Sequence, residues 1–305
     1  MALLRRPLLT LIAMSSTLLM ACQQSKASDT TPTTSSNQNA VNTGKLRAVV
    51  IGDALPMVRK TDTGFDGLSF VVLEAIRDQL SAEQSEDQPA VTLTTANAAD
   101  VESGLEMIRS GKADIACGVG FSWERQKQFD YTLPFASSGI RLLAPSTIDG
   151  TPKSLRGQTI GVVENSVAAS VLANNVQDVS FKSFATPADA LKALEKGDVK
   201  LLAGDSLWLR ANQNQAAPDD VIVPAVPYAR AAIGCIVGES SSSLLDTGNI
   251  AIGRLLQAYV DGNPDARKEI NAWIGQDSAI GLTDEQISHY YRMVLSTAAE
   301  FHQTP

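Results

Sequence analysis

Short apolar runs alternate with segments of helical period over most of this 305-residue chain. Residues 46–51, 113–119 and 159–163 predict buried strands, whereas residues 69–80 and 187–196 place apolar side chains at helical spacing. This alternation is typical of an α/β protein with mostly parallel strands. The composition is 44% hydrophobic and 19% charged, which excludes a fibrous or membrane-embedded chain.

A helix that stops at a glycine and is followed by a strand occurs twice, over residues 108–118 and 194–204. Two related α/β units of this kind suggest two lobes. Open parallel sheets bind ligands beyond the carboxyl ends of their strands, so we expect a ligand near residues 118–125 and Asp205. The alternative is a chance match between two common helix–strand arrangements.

The N-terminal segment has the parts of a bacterial lipoprotein signal. Arg5 and Arg6 precede a run without charges that ends in Leu-Met-Ala-Cys at Cys22. We therefore expect residues 1–21 to be removed and Cys22 to carry lipid at the membrane, as a periplasmic or cell-surface lipoprotein. Residues 22–44 are polar and predict a flexible tether. The alternative for the apolar run is an uncleaved transmembrane anchor.

Charge and residue counts narrow the function classes. A formal net charge of -8 repels polyanions, so we expect no nucleic-acid partner. The chain has two histidines, which leaves little material for imidazole metal sites, and we predict no metal and no cofactor. Apart from Cys22, the cysteines are Cys117 and Cys235, which in an oxidising compartment form a disulfide or act as two separate core residues.

Several motifs in a fixed order resemble family 3 extracellular solute-binding proteins, the amino-acid-binding components of ABC importers. The matching segments are residues 46–51, 67–76, 122–139, 154–163, 190–197 and 203–206. The resemblance implies an α/β, two-lobed type 2 periplasmic binding fold, with a mostly parallel sheet flanked by helices in each lobe. It places lobe 1 at residues 45–139 and 232–305 and lobe 2 at residues 140–231, with hinge crossings near 140–143 and 229–232.

The same resemblance assigns ligand contacts on both sides of a cleft. Arg125 is where the family grips a ligand α-carboxylate, for which a planar guanidinium is suited; the alternative is a surface arginine. Asp205 would accept hydrogen bonds from the ligand ammonium, and its alternative is a helix cap. Ser166 opens a helix whose amides could meet the carboxylate, or it is a plain N-cap.

The remaining assignments include departures from the family pattern. Gly118 and Gly120 match positions that touch the ligand, but here only backbone is available there. Ser122 and Trp123 belong to the same predicted ligand set, and the alternative for Trp123 is packing within its lobe.

Other departures concern the walls of the site. Leu55 and Val101 stand near positions where the family has aromatic residues, so cation stacking is not available there and we expect no Lys, Arg or His ligand. Asp66 and Ser69 are interpreted as solvated caps. In the family fold Cys117 and Cys235 lie on neighbouring strands, which favours a disulfide.

The predicted function is a lipid-anchored, monomeric binding protein for a small amino-acid-like ligand, with an ABC permease as its further partner. One alternative is an orphan sensor or partner-binding protein without a transporter. Another is an enzyme on the same fold, similar to cyclohexadienyl dehydratases, with Glu164 or Asp205 as its acid–base group. The scarcity of histidine favours binding over chemistry, so we predict that the protein is not an enzyme.

Overall fold

The computed structural model describes residues 44–302. The predicted signal peptide, the lipidation site Cys22 and all but the last residue of the predicted tether lie outside the described residues. Within residues 44–302, no helix is both long and apolar enough to cross a membrane.

Strands and helices alternate along the chain as the sequence pattern predicts. The strands are β1 (Lys45–Ile51), β2 (Arg59–Thr61), β3 (Gly64–Asp66), β4 (Thr92–Ala98), β5 (Ile115–Gly120), β6 (Phe129–Tyr131), β7 (Ala136–Ala144), β8 (Thr159–Val163), β9 (Ser180–Phe184), β10 (Leu202–Asp205), β11 (Val221–Val223) and β12 (Arg230–Gly238). The helices are α1 (Leu68–Ala82), α2 (Val101–Arg109), α3 (Trp123–Gln126), α4 (Pro152–Leu155), α5 (Val167–Asn175), α6 (Pro187–Glu195), α7 (Ser206–Ala216), α8 (Ser242–Val260), α9 (Pro264–Ile274) and α10 (Asp284–His302).

The main sheet runs in the order β4-β1-β5-β12-β7-β10-β8-β9. Its outer ladders are parallel, β4-β1-β5 on one side and β10-β8-β9 on the other. The central strands β12 and β7 are antiparallel to their neighbours. We name the side with β4, β1, β5 and β12 lobe 1, and the side with β10, β8 and β9 lobe 2.

Strand β7 belongs to both lobes. Residues Ala136–Gly139 pair with β12, whereas Ile140–Leu143 pair with β10. A second crossing lies beside it, because the amide of Ile140 donates to the Ala229 carbonyl at 2.8 Å and the amide of Tyr228 donates to the Ile140 carbonyl at 3.0 Å. The predicted lobe boundary between residues 139 and 140 falls at this change of partner; the boundaries themselves stay a prediction.

Each lobe has its own buried apolar core. In lobe 1 the core lies between the sheet and helices α1, α8, α9 and α10, and it includes Tyr259 and Tyr291, whose rings pack edge to face with centroids 5.3 Å apart. In lobe 2 two smaller clusters contain Leu172 and Leu201 on one side of the sheet strands and Leu194 and Leu202 on the other. The carboxyl ends of strands β5, β8 and β10 lie between these cores.

Candidate ligand-binding cleft

A cavity of about 170 Å³ lies between the lobes. Gly118 and Gly120 contribute from β5 of lobe 1, and Asp205 contributes from the end of β10 in lobe 2. Arg125 and Ser166 also line it. Five of the seven residues predicted to contact a ligand therefore meet in one cavity, although they are far apart in sequence.

Arg125 reaches from lobe 1 to lobe 2. It is the third residue of the four-residue helix α3 and is half-buried. Its Nη1 donates to the Gly120 carbonyl at 3.1 Å, and its Nη2 donates to the Asn165 carbonyl at 2.8 Å. A guanidinium has five N–H donors, so three are left for a further acceptor in the cavity.

Asp205 occupies the junction between β10 and α7 and caps that helix. Its Oδ1 accepts from the Leu207 amide at 3.1 Å, the Trp208 amide at 3.0 Å and the Ser138 hydroxyl at 3.0 Å. Oδ2 has no donor among the described residues. Burial raises the pKa of the Asp205 carboxyl, and the hydrogen bonds from Trp208, Ser138 and Leu207 oppose that rise.

The N-terminus of α5 faces the cavity through Ser166, Val167 and Ala168. The Ser166 hydroxyl accepts from the Ala169 amide at 3.2 Å, as an N-cap should. The amides of Val167 and Ala168 have no acceptor within the helix, as at any helix start, and they carry its positive dipole end. Asn165 enters this turn with a left-handed φ of 55°, which places its carbonyl under the Arg125 guanidinium.

Gly118 and Gly120 of β5 line the cavity with backbone atoms only, because glycine has no side chain. Gly118 has a φ of 84°, and a Cβ there would stand 2.6 Å from the Ser69 hydroxyl oxygen and 3.1 Å from Met57 Cβ. Side chains at this position are thus excluded by both conformation and space. Gly120 supplies a carbonyl that accepts from both Arg125 and the Tyr131 hydroxyl.

Ser122 and Trp123 are the two predicted ligand residues that the structure does not bring to the cavity. The Ser122 hydroxyl caps α3 by accepting from the Arg125 amide at 3.3 Å. Trp123 is 75% exposed, and its ring packs edge-on against Phe121 with centroids 5.0 Å apart. Trp123 does not line the cavity, so it supplies no aromatic wall there.

Trp208 is a cavity residue that sequence reasoning missed. It is 5% exposed and lies against Gly204, where a Cβ would approach its ring to 2.4 Å. The available signal was its place in the first turn of α7, three residues after Asp205. Val101 also lines the cavity, whereas Leu55 does not.

A disulfide lies directly behind the cavity. The Sγ atoms of Cys117 and Cys235 are 2.01 Å apart and join β5 to β12, where the two residues are register partners. Cys235 is fully buried, and Cys117 precedes the cavity residue Gly118. The bridge therefore holds together the two strands that form the lobe 1 floor of the cleft.

Metal ligands do not assemble in the part of the chain that the structure describes. No group of three or more His, Cys, Asp or Glu side chains is positioned there to hold an ion. The cavity is lined by two ionisable side chains, Arg125 and Asp205, and these have opposite charge.

Two lobes that share a strand and enclose a cavity with one cationic and one anionic side chain are typical of a solute-binding protein. The chain belongs to the bacterial extracellular solute-binding proteins, family 3, whose model matches residues 46–292. The type 2 periplasmic binding fold is thereby confirmed.

The individual proteins to which this chain is similar have low sequence identity with it. The L-cystine-binding protein TcyJ of Escherichia coli (strain K12) is 26% identical over 177 residues, which are 57% of this chain and 64% of that protein. An L-glutamate/L-aspartate-binding protein of Pseudomonas aeruginosa is 23% identical over 216 residues, or 68% of each chain. The ancestral amino acid-binding protein AncCDT-1, a precursor of cyclohexadienyl dehydratase, has the same fold with a TM-score of 0.67 and 16% identity, covering 79% of this chain and 100% of that one.

Proposed function

We propose that this protein binds a free amino acid between its lobes. The observation that carries the proposal is the meeting of Arg125 from lobe 1 and Asp205 from lobe 2 in one cavity, beside the N-terminus of α5. A free amino acid carries a carboxylate and an ammonium on one carbon. The cavity offers one partner of the right sign for each.

The carboxylate would bind Arg125 and the amides of Val167 and Ala168, which have no acceptor within the helix. Three guanidinium donors remain after those given to Gly120 and Asn165, and the helix terminus adds a favourable field for an anion. The ammonium would donate to Asp205 Oδ2, because Oδ1 is already used by three donors. Ligand binding then links groups of both lobes, which favours a closed arrangement.

The setting of this binding activity is part of the same proposal. Family membership and the two relatives named as amino-acid-binding proteins support delivery of the ligand to an ABC importer. The Leu-Met-Ala-Cys sequence at Cys22 supports export and lipid anchoring at an extracytoplasmic membrane surface.

Isothermal titration of the protein with each of the common amino acids tests the proposal. We expect at least one ligand with a dissociation constant in the micromolar range or below, and Arg125→Ala should weaken it by roughly a hundredfold or more. Lys127→Ala is the matched control, since it removes an exposed cation two residues away that pairs with Glu124. Full affinity in Arg125→Ala would contradict the assignment of the carboxylate site.

Of the two acid–base groups considered for a dehydratase-like enzyme, one lies outside the cavity. Glu164 is exposed and does not line the cavity, so Asp205 is the cavity's one carboxylate. Incubation with prephenate or arogenate, followed by product detection, decides this alternative. We expect no turnover above buffer, and turnover that Asp205→Asn abolishes would replace binding with catalysis.

A further inference from the structure

The walls of the cavity differ in character from its two charged ends. Met57 and Val101 contribute apolar surface from lobe 1, Val163 and Trp208 contribute it from lobe 2, and Ile140 and Ile233 complete it near the shared strands. Ser166 is the other polar side chain at the wall, and its oxygen already caps α5. The space beyond the Arg125 and Asp205 positions is therefore an apolar compartment.

Apart from Arg125, the charged side chains of the adjoining groove do not line this compartment. The groove contains Glu102 and Glu124, which are exposed to solvent, with Arg109 at 3.6 Å from Glu102 and Lys127 at 3.0 Å from Glu124. In the proposed function, Arg125 and Asp205 are used by the ligand's own carboxylate and ammonium. A third ligand charge would then be buried without a counter-charge from any described cavity residue, which is strongly unfavourable.

The compartment also limits ligand size. A cavity of about 170 Å³ holds on the order of ten water-sized groups. Its Trp208 wall has little freedom to move, because the indole lies against Gly204 and is buried with Leu209 and Leu194 in the lobe 2 core. The space suits a side chain of three or four heavy atoms more than a long extended one.

We propose that the ligand is an amino acid with a neutral aliphatic or thioether side chain, of valine to methionine size, packed between Val101 and Trp208. This inference rests on the proposed function and adds the ligand class to it. The apolar wall excludes charged side chains by leaving them unpaired, and it favours branched apolar ones by removing their surface from water.

Competitive titration of the full chain tests the ligand class. We expect leucine, isoleucine, valine or methionine to bind at least tenfold more tightly than lysine, arginine, glutamate, aspartate and cystine. Tighter binding of any charged amino acid or of cystine overturns this inference and leaves the proposed function standing. Failure of every amino acid to bind removes the proposed function, and the inference with it.

One substitution tests the wall directly. Val101 is half-buried at the first position of α2, where an acidic residue suits the helix. Val101→Asp should weaken leucine or its best apolar homologue at least tenfold and create measurable lysine or arginine binding. The control Val101→Asn has the same size without the charge, so it should weaken the apolar ligand and bind no cationic one. Unchanged apolar affinity in both variants, with unchanged thermal unfolding, contradicts the proposed wall.

Discussion

The two lobes bring different kinds of groups to the same cavity. In lobe 2, Ser166 and Asp205 each cap a helix whose N-terminus faces the cleft, so the same residue caps a helix and lines the cavity. In lobe 1, Gly118 and Gly120 offer backbone only, and the charged group is Arg125 on a helix of four residues. If the cavity binds the proposed ligand, we expect stability and binding to be coupled in lobe 2 and largely separate in lobe 1.

The disulfide sharpens this comparison, because both its cysteines lie in lobe 1. It closes a loop over a sequence separation of 118 residues. We expect the double variant Cys117→Ala, Cys235→Ala to lose about 4 kcal/mol of unfolding free energy, since the bridge restricts the unfolded chain. Urea unfolding measures the loss, with the reduced wild type as its control. Equal stability of the oxidised and reduced wild type would contradict the expectation.

A variant that removes the charge of Asp205 but keeps its capping of α7 tests whether lobe 2 contributes to ligand binding. Asp205→Asn keeps an oxygen that can accept from the Leu207 and Trp208 amides, but it has no charge for the ammonium. We expect the ligand affinity to fall roughly tenfold to a hundredfold, or about 1.5–3 kcal/mol. Calorimetry at pH 7 measures the change. Wild-type affinity in this variant would mean that Asp205 is a cap and nothing more.

Acid conditions should weaken ligand binding through the same carboxylate. Burial raises the Asp205 pKa, so the group takes up a proton at a pH above the range of an ordinary aspartate. Affinity should decrease as the pH falls through that raised pKa, since a protonated carboxyl no longer pairs with the ammonium. Titrations from pH 7 to pH 4 measure this slope, and Asp205→Asn should flatten it.

The same raised pKa of Asp205 affects the stability of the ligand-free protein in the opposite direction, because protonation favours the folded state. A raised folded-state pKa means that the folded protein binds the proton more tightly than the unfolded chain does. The stability contribution is fully present below the unfolded pKa and is lost as the pH rises through the folded one. The difference in unfolding free energy between wild type and Asp205→Asn, measured across the same pH range, isolates that contribution.

The smallest effects are expected from removing one N-cap serine in each lobe. Ser166→Ala removes the cap of the nine-residue α5 and should cost about 1 kcal/mol of stability together with a few-fold loss of affinity. Ser122→Ala removes the cap of the four-residue α3 and should cost roughly half as much, with little change in affinity. Thermal unfolding and calorimetry on both variants measure this. A larger binding loss in Ser122→Ala would reverse the comparison.

Local signals in the sequence predicted much of the framework. The alternation of apolar runs and helical segments predicted the strands β1 and β8 within a residue at each end. The N-cap role of Ser166 was also visible, because an N-cap acts on amides two or three residues away. The family resemblance placed Arg125 and Asp205, which the structure brings into one cavity.

The two tryptophans near the cleft show where prediction from sequence stopped. Trp123 stands beside the Arg125 motif and was predicted to contact the ligand, yet it is 75% exposed on the outside of α3. Trp208 had no such motif, yet it forms a wall of the cavity. Whether each tryptophan lines the cavity depends on which side of its helix faces the strand ends, and no local sequence pattern indicates that side.

The sequence by itself determined the α/β class and the helix caps, because these depend on neighbours within a few residues and can be recognised without the fold. The resemblance to the family, and not a local pattern, singled out Arg125 and Asp205 as candidate groups for an amino acid's two charges. The tertiary structure decided that Arg125 links Gly120 to Asn165 across the lobes, and that Val101, Ile140 and Trp208 face one apolar space. Contacts between residues tens of positions apart follow from packing, and packing exists only once both lobes are folded.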